Sequence, residues 1–269
     1  MASDLIPHPL SDSFDWDHEV ASIPPRDAVV TRSDWEKFVS DGFFIARGLV
    51  DHDLLARATA ETDRFCKEAD ELLEQLPDER LFIAERGAIT FAPHIARQSE
   101  TLWNLVANSR VATIARDIIG NDVRLYHDQA VYKAPEKPRR FPWHQDNGYG
   151  FVTPQHYLTV WIALSDVTID SGCVWVAPGL QRHGTLKHEY VEPLGWQIFE
   201  EPPVAPVAAP IAAGDAVVFS SLTPHLTGPN VSGSMRKAYI VQYVGPGAVR
   251  HEPDGRRIDL DTQCPAIEG

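Results

Sequence analysis

Val123-Arg-Leu-Tyr-His-Asp-Gln-Ala-Val-Tyr-Lys133 alternates side chains in strand fashion, and Trp143-His-Gln-Asp146 follows shortly after it. Residues 157–165, 172–177, 216–220 and 237–244 read the same way. Turn signals lie between them at Pro135, Asp170-Ser-Gly172, Pro178-Gly179, Gly214-Asp215 and Pro229-Asn230. Short strands at such spacing predict a β-sandwich or barrel. Upstream of residue 120 the period is helical. Thr31 with Asp34 reads as a capping-box variant, followed by the apolar stripe Trp35, Phe38 and Val39 and by Gly42 as a stop. Residues 43–50 read as a short buried strand. A longer helix is predicted over about 53–76, with Leu54, Leu55, Ala58, Phe65, Ala69, Leu72, Leu73 and Leu76 on one face. A helical pair is predicted over about 100–119.

Helices first and strands afterwards predict a mainly β protein with flanking helices, the helical layer resting on one sheet of a jelly roll. The expected organisation is an N-terminal surface arm over 1–30 and a single domain over 31–269, with the jelly-roll core at about 120–245. The stretch 187–213 carries Pro193, Pro202, Pro203, Pro206 and Pro210 and reads as one long lid, binding loop or disordered segment.

Composition narrows the function classes. The 269 residues carry 24 Lys and Arg against 38 Asp and Glu, a formal charge of −14. That excludes the basic footprint of a nucleic-acid binder and disfavours an anionic membrane face. No apolar run approaches the ~20 residues of a spanning helix, and residues 1–9 lack a signal-peptide pattern. Cys66, Cys173 and Cys264 are odd in number and far apart, which suits free thiols in a reducing compartment. The expectation is a cytoplasmic monomer or small homo-oligomer acting on a small molecule.

The chemistry centres on His144 and Asp146. Residues two apart on an extended chain share a face, so an imidazole and a carboxylate are presented to one point. His225, in Leu222-Thr-Pro-His-Leu-Thr227, follows the apolar run 216–219 and is the best candidate for a third ligand. Two histidines and a carboxylate on one face suit ferrous iron and leave positions for a bidentate co-substrate and dioxygen, although other divalent metals accept the same ligands. Arg236, eleven residues after His225, offers a planar fork for a co-substrate carboxylate, and Thr227 shares the face of His225.

Several segments together resemble the phytanoyl-CoA dioxygenase family of Fe(II)/2-oxoglutarate-dependent oxygenases. They are Asp41-Gly-Phe-Phe-Ile-Ala-Arg-Gly-Leu49, Tyr132-Lys-Ala-Pro135, His144-Gln-Asp146, Val160-Trp-Ile-Ala-Leu-Ser-Asp166, Gly172-Cys-Val-Trp-Val-Ala-Pro-Gly179, and the His225 to Arg236 spacing. The resemblance implies a cupin-like double-stranded β-helix. It implies iron on His144, Asp146 and His225, and 2-oxoglutarate held by Arg236 with help from Thr227, Trp161 and Gln129. The implied reaction is oxidation of an aliphatic C–H by O2 with release of succinate and CO2. Desaturation, cyclisation or epimerisation on the same cofactors, and a non-catalytic jelly-roll binding protein, are the alternatives. The chain departs from the family in having Leu180-Gln-Arg-His183 where Ser-His is usual, and no Lys near Phe91, where only Arg86, Thr90 and His94 offer polar groups. Candidate pocket residues are His127, Lys133, Asn147, Tyr149 and Phe151, the last two weighed evenly against core. His183 and His188 read as solvated loop residues ahead of contacts to a polar substrate, and Lys137-Pro-Arg139-Arg140 as a basic cluster or a solvated loop.

Overall fold

The computed structural model describes residues 5–11, 13–23, 25 and 28–267. Expectations touching 1–4, 12, 24, 26–27 and 268–269, including part of the arm and of the signal-peptide reading, lie outside the described residues. The helices are α1 (Arg32–Asp41), α2 (His52–Glu74), α3 (Glu100–Ala107), α4 (Arg110–Ile119) and the short α5 (Leu260–Gln263). The strands, in chain order, begin with β1 (Phe43–Ala46), β2 (Arg80–Leu81), β3 (Ala84–Glu85), β4 (Ile89–Pro93), β5 (Arg124–Lys133), β6 (Phe141–His144), β7 (Phe151–Thr153) and β8 (Leu158–Ala163). They continue with β9 (Val174–Val176), β10 (Glu189–Val191), β11 (Gly195–Gln197), β12 (Val207–Ala209), β13 (Ala216–Ser220), β14 (His225–Thr227), β15 (Arg236–Val244), β16 (Val249–His251) and β17 (Arg257–Asp259).

Two antiparallel sheets form the jelly roll. The larger has the order β1-β13-β8-β15-β5-β4-β3-β2 and the smaller β12-β9-β14-β6. They stack without closing into a barrel, which is the cupin-like arrangement expected. The two-residue period of the strands sorts their side chains. Trp161 and Ala163 on β8, Val217 and Phe219 on β13 and Ala238 on β15 pack against Val174, Val176 and Ala209 of the smaller sheet. Their neighbours Val160, Ile162, Val218, Tyr239 and Val241 face the other way, against Leu102, Leu105, Val111 and Ile114 of α3 and α4. Each such aliphatic side chain, fully buried, contributes about 1.5–3 kcal/mol.

The helix signals hold in detail. Thr31 caps α1, and Asp34 reaches back to the Thr31 N–H, completing the capping box. Gly42 ends α1 at φ +85°, and a Cβ there would meet Thr223 Oγ1 at 2.5 Å and Gln181 Oε1 at 2.8 Å. Only glycine lets the helix end turn left-handed and abut the segment that carries His225. On α2 the expected face is partly wrong. Leu72 is 64% exposed, while Thr62 and Cys66 are buried, because Thr62 turns inward to meet the Tyr132 hydroxyl at 2.9 Å.

Two loop readings change. The stretch 187–213 holds β10, β11 and β12, and β12 completes the smaller sheet beside β9. Strand pairing there accepts prolines because they sit between the strands and not in them. In the 1–30 stretch, Trp16, Val20 and Val30 are buried in the helical core, and the Trp16 indole donates to Val39 O. Cys66, Cys173 and Cys264 are free and buried. No helix among the described residues is long and apolar enough to cross a membrane.

Candidate metal centre and co-substrate site

Strands β14 and β6 pair with His225 opposite His144, which brings their ring centroids to 4.1 Å. The Asp146 carboxylate begins the turn just beyond β6, and its Oδ1 lies 3.7 Å from Nε2 of each histidine. All three ligand atoms lie within 4.8 Å of one another, forming a metal-binding triad. The outer ring nitrogens fix the tautomers. His144 Nδ1 lies 2.8 Å from Pro142 O, and His225 Nδ1 lies 2.9 Å from Thr223 O. A carbonyl only accepts, so each Nδ1 carries the hydrogen and each Nε2 lone pair is turned to the common point. Burial, with the His225 ring beside it, holds the His144 imidazole well below its ordinary pKa and therefore neutral. The second carboxylate oxygen of Asp146 accepts the Thr159 hydroxyl at 2.5 Å.

Cross-strand register then lays out the chamber in rows on the inner face of the larger sheet. Thr159, Gln242 and His127 form the row at the metal end, and Trp161, Ile240 and Gln129 form the next. At the far end Arg236 pairs with Lys133. Arg236 is 1% exposed. Its guanidinium carbon lies 5.2 Å from the Trp161 ring centroid, and its Nη1 donates to Val131 O at 3.1 Å. Burial lowers its pKa to about 9, still charged at neutral pH. Its Nε and Nη2 are buried without any acceptor on the protein. Those two N–H groups form one edge of the fork, the geometry that grips a carboxylate side-on. Thr227, on the same face of β14 as His225, is buried nearby. A face of two imidazoles and one carboxylate at one end and a buried, unmatched cation at the other fit iron and a dicarboxylate such as 2-oxoglutarate.

Several pocket candidates turn out differently. Lys133 does not reach toward substrate. Its ammonium donates to Arg139 O, Thr227 O and Gly228 O at 3.1, 2.9 and 2.6 Å, which uses all three of its hydrogens and clamps the end of β14. Asn147 is spent on Val152 and Thr185. Phe151 is buried against His8 at 4.7 Å, away from the ligands. Tyr149 does stand at the site, edge-on to His144 at 5.4 Å. His183 is exposed, but His188 is not solvated. It is buried, and its Nε2 accepts the Gln145 N–H at 2.9 Å while Nδ1 contacts Leu186 O. Near Phe91, Thr90 donates to Asp70 and Arg86 pairs with Glu74 and Glu79, so neither serves the co-substrate. Lys137 and Arg139 pair with Glu85.

Sequence reasoning passed over Gln145 and Thr159 and misread His188 among the groups that brace the metal turn. Gln145 is fully buried. Its amide donates to Gly184 O and Leu222 O and accepts the Leu186 N–H. A Cβ at Gly148 would lie 2.0 Å from the His188 ring, so glycine there lets the imidazole lie flat against the turn. Thr159 had a signal, since it sits two residues before Trp161 on the same strand face. Gln145 and His188 had none, because their partners come from distant loops.

A fold and a site of this kind define an iron- and 2-oxoglutarate-type jelly roll, and comparison with known proteins places the chain within that group. The sequence profile of phytanoyl-CoA dioxygenase (PhyH) matches residues 38–238, and the chain belongs to that family. It is 24% identical over 222 residues to the peroxisomal phytanoyl-CoA dioxygenase of Rattus norvegicus, covering 77% of this chain and 66% of that protein. It is 24% identical over 278 residues to the ectoine dioxygenase of Stutzerimonas stutzeri, covering 90% and 87%. Among solved structures, EvdO2 from Micromonospora carbonacea var. aurantiaca complexed with 2-oxoglutarate superposes with a TM-score of 0.66 at 25% identity, over 83% of this chain and 95% of that one.

Proposed function

We propose that the protein is an Fe(II)/2-oxoglutarate-dependent oxygenase that hydroxylates an aliphatic C–H of a small-molecule metabolite, consuming O2 and releasing succinate and CO2. The observation that carries this reading is the pairing, in one chamber, of the His144–Asp146–His225 face with the unmatched guanidinium edge of Arg236. A zinc hydrolase would have use for the triad but none for that buried cation.

When bound, iron supplies the oxygen activation that couples decarboxylation of 2-oxoglutarate to oxidation of the substrate. The protein supplies position and environment. Two neutral imidazoles and one carboxylate leave a divalent ion a net positive charge, which favours a dianionic co-substrate. Thr159 and the carbonyls of Pro142 and Thr223 aim the three ligands. Arg236 receives the distal carboxylate, Thr227 offers a hydroxyl beside it, and Gln129 and Trp161 wall the passage between the two ends. Trp161, 2% exposed, also keeps water from the salt link and so strengthens it.

The reading is tested by incubating the protein with ferrous iron, 2-oxoglutarate, ascorbate and a panel of metabolites and measuring succinate. Succinate release that needs both iron and a particular metabolite is expected. A product heavier by one oxygen marks hydroxylation, and one lighter by two hydrogens marks desaturation. No binding of metal and no succinate across the panel overturns the reading in favour of a non-catalytic jelly roll.

A further inference from the structure

We propose that the cleft lined by His94, Arg97, Tyr126 and Arg250 binds an anionic oxyacid group of the substrate. On the iron-oxygenase reading above, the substrate is then a small metabolite bearing a carboxylate or a phosphate-type group remote from the oxidised carbon. The cleft has a volume of about 540 Å³, with Leu125 and Ile258 as apolar wall, within the range that houses small ligands.

The cleft and the metal chamber share a wall. The His94 ring meets the His127 ring edge-on at 4.6 Å. His127 faces the chamber in the same row as Gln242 and Thr159, and Thr159 holds Asp146. The register of β15 against β5 shifts between Gln242 and Tyr243, and this irregularity leaves Tyr126 out of the ladder. From the other side, a Cβ at Gly150 would lie 3.6 Å from Arg250 Cδ and 3.9 Å from the Tyr126 hydroxyl. Gly150 follows Asp146 by a single turn of chain, so the cleft touches the metal segment directly.

The lining carries two guanidinium groups, Arg97 and Arg250, against one carboxylate, Asp128, in a protein of net charge −14. One oxygen of the Asp128 carboxylate on its border accepts from the Ile95 and Ala96 N–H groups and the Tyr239 hydroxyl. Glu252 pairs with Arg250 through Nε at 2.7 Å, and the Tyr126 hydroxyl also hydrogen-bonds the Arg250 side chain. Arg97 is exposed and has no ion-pair partner among the described residues. Arg97 without an ion-pair partner, Arg250 with Nη groups that Glu252 leaves unpaired, an imidazole and a phenol lining one cleft are the chemistry of oxyanion capture. A neutral substrate would leave Arg97 without a partner.

The test is calorimetric titration of the Mn²⁺- and 2-oxoglutarate-loaded protein with butyrate and with butylphosphonate. At least one probe is expected to bind with 1:1 stoichiometry. Arg97→Gln and Arg250→Gln should each weaken it about tenfold, the loss of one charge-assisted contact, with 2-oxoglutarate affinity unchanged. Arg32→Gln, on the exposed face of α1, should leave it unaltered. Binding of butyrate alone, or of butylphosphonate alone, assigns the head group. If neither probe binds, or if the cleft variants bind as the parent does, the proposal falls. Failure of Mn²⁺ and 2-oxoglutarate to load fells the iron reading instead, and the same titrations on the metal-free protein still judge the cleft.

Discussion

The two ends of the chamber are built on opposite principles. Around the metal ligands the outer polar groups find partners within the chain. Pro142 O and Thr223 O hold the rings, Thr159 holds the carboxylate, and Gln145 and His188 hold the turn. At the other end Arg236 is equally buried, yet two of its nitrogens find no acceptor. A buried cation with unmatched N–H groups is destabilising, so on the proposed function this end is completed by its ligand and the metal end by the fold. Precise aim is needed where a metal is gripped, and unspent hydrogen-bonding capacity where a co-substrate must be held.

The largest effect is expected at the metal end. Asp146→Ala or His225→Ala should abolish iron-dependent succinate release and weaken Mn²⁺ binding by more than the roughly 10–100-fold that outer partners command. The circular dichroism spectrum should stay unchanged, because the ligands sit at strand ends and not in the core. Retained Mn²⁺ affinity in either variant would break the assignment of this end.

Arg236→Met separates the two ends. The apparent 2-oxoglutarate requirement should rise by about 10- to 100-fold, from lost charge-assisted bonds of roughly 1.5–3 kcal/mol, while Mn²⁺ affinity holds. Thermal stability without co-substrate should rise or stay level, since an unmatched buried charge has been removed. The rise in Tm on adding 2-oxoglutarate should shrink. A fall in Tm without co-substrate would show that Arg236 is matched by the protein after all.

Smaller losses are expected from the bracing groups. Thr159→Val and His188→Ala should each lower Mn²⁺ affinity by about tenfold and leave the dependence on 2-oxoglutarate concentration unchanged once metal is saturating. A variant that shifts the 2-oxoglutarate requirement instead would join the two ends that the geometry keeps apart.

These contrasts also explain what could be read from the chain. His144 and Asp146 were legible because strand alternation alone puts them on one face, and Arg236 because it opens the strand that follows the His225 turn. Gly42 was legible as a helix stop but not as the point where α1 meets Thr223, which is a tertiary contact. Lys133 looked like a pocket residue from its strand face. Its three carbonyl acceptors include Thr227 and Gly228, more than ninety residues away, and no local pattern announces them. His188 looked solvated because it lies in a proline-bearing stretch, yet that stretch returns to lie on the metal turn. Periodicity reports which way a side chain points, whereas the partner it meets depends on how distant segments come together.

The last effect concerns acid sensitivity beside the metal end. His156 packs edge-on against Trp16 and Phe38 at 5.9 and 5.8 Å. Its Nδ1 meets Ser220 Oγ at 3.0 Å, and the Ser220 hydroxyl in turn accepts the Leu222 N–H at the start of the segment carrying His225. Its Nε2 is buried without an acceptor, and burial drives the imidazole down to about 4 from 6.5. Between those values the unfolded chain binds a proton that the folded chain refuses. Stability is therefore full above pH 6.5 and falls as the pH drops toward 4, by up to about 3 kcal/mol. His156→Asn keeps an acceptor near Ser220 and removes the titration, so its Tm should fall less steeply between pH 6.5 and 4 than that of the parent. Because His156 braces the His225 segment, acid should weaken Mn²⁺ retention in the parent more than in the variant. Equal slopes in the two proteins would place the acid response elsewhere in the molecule.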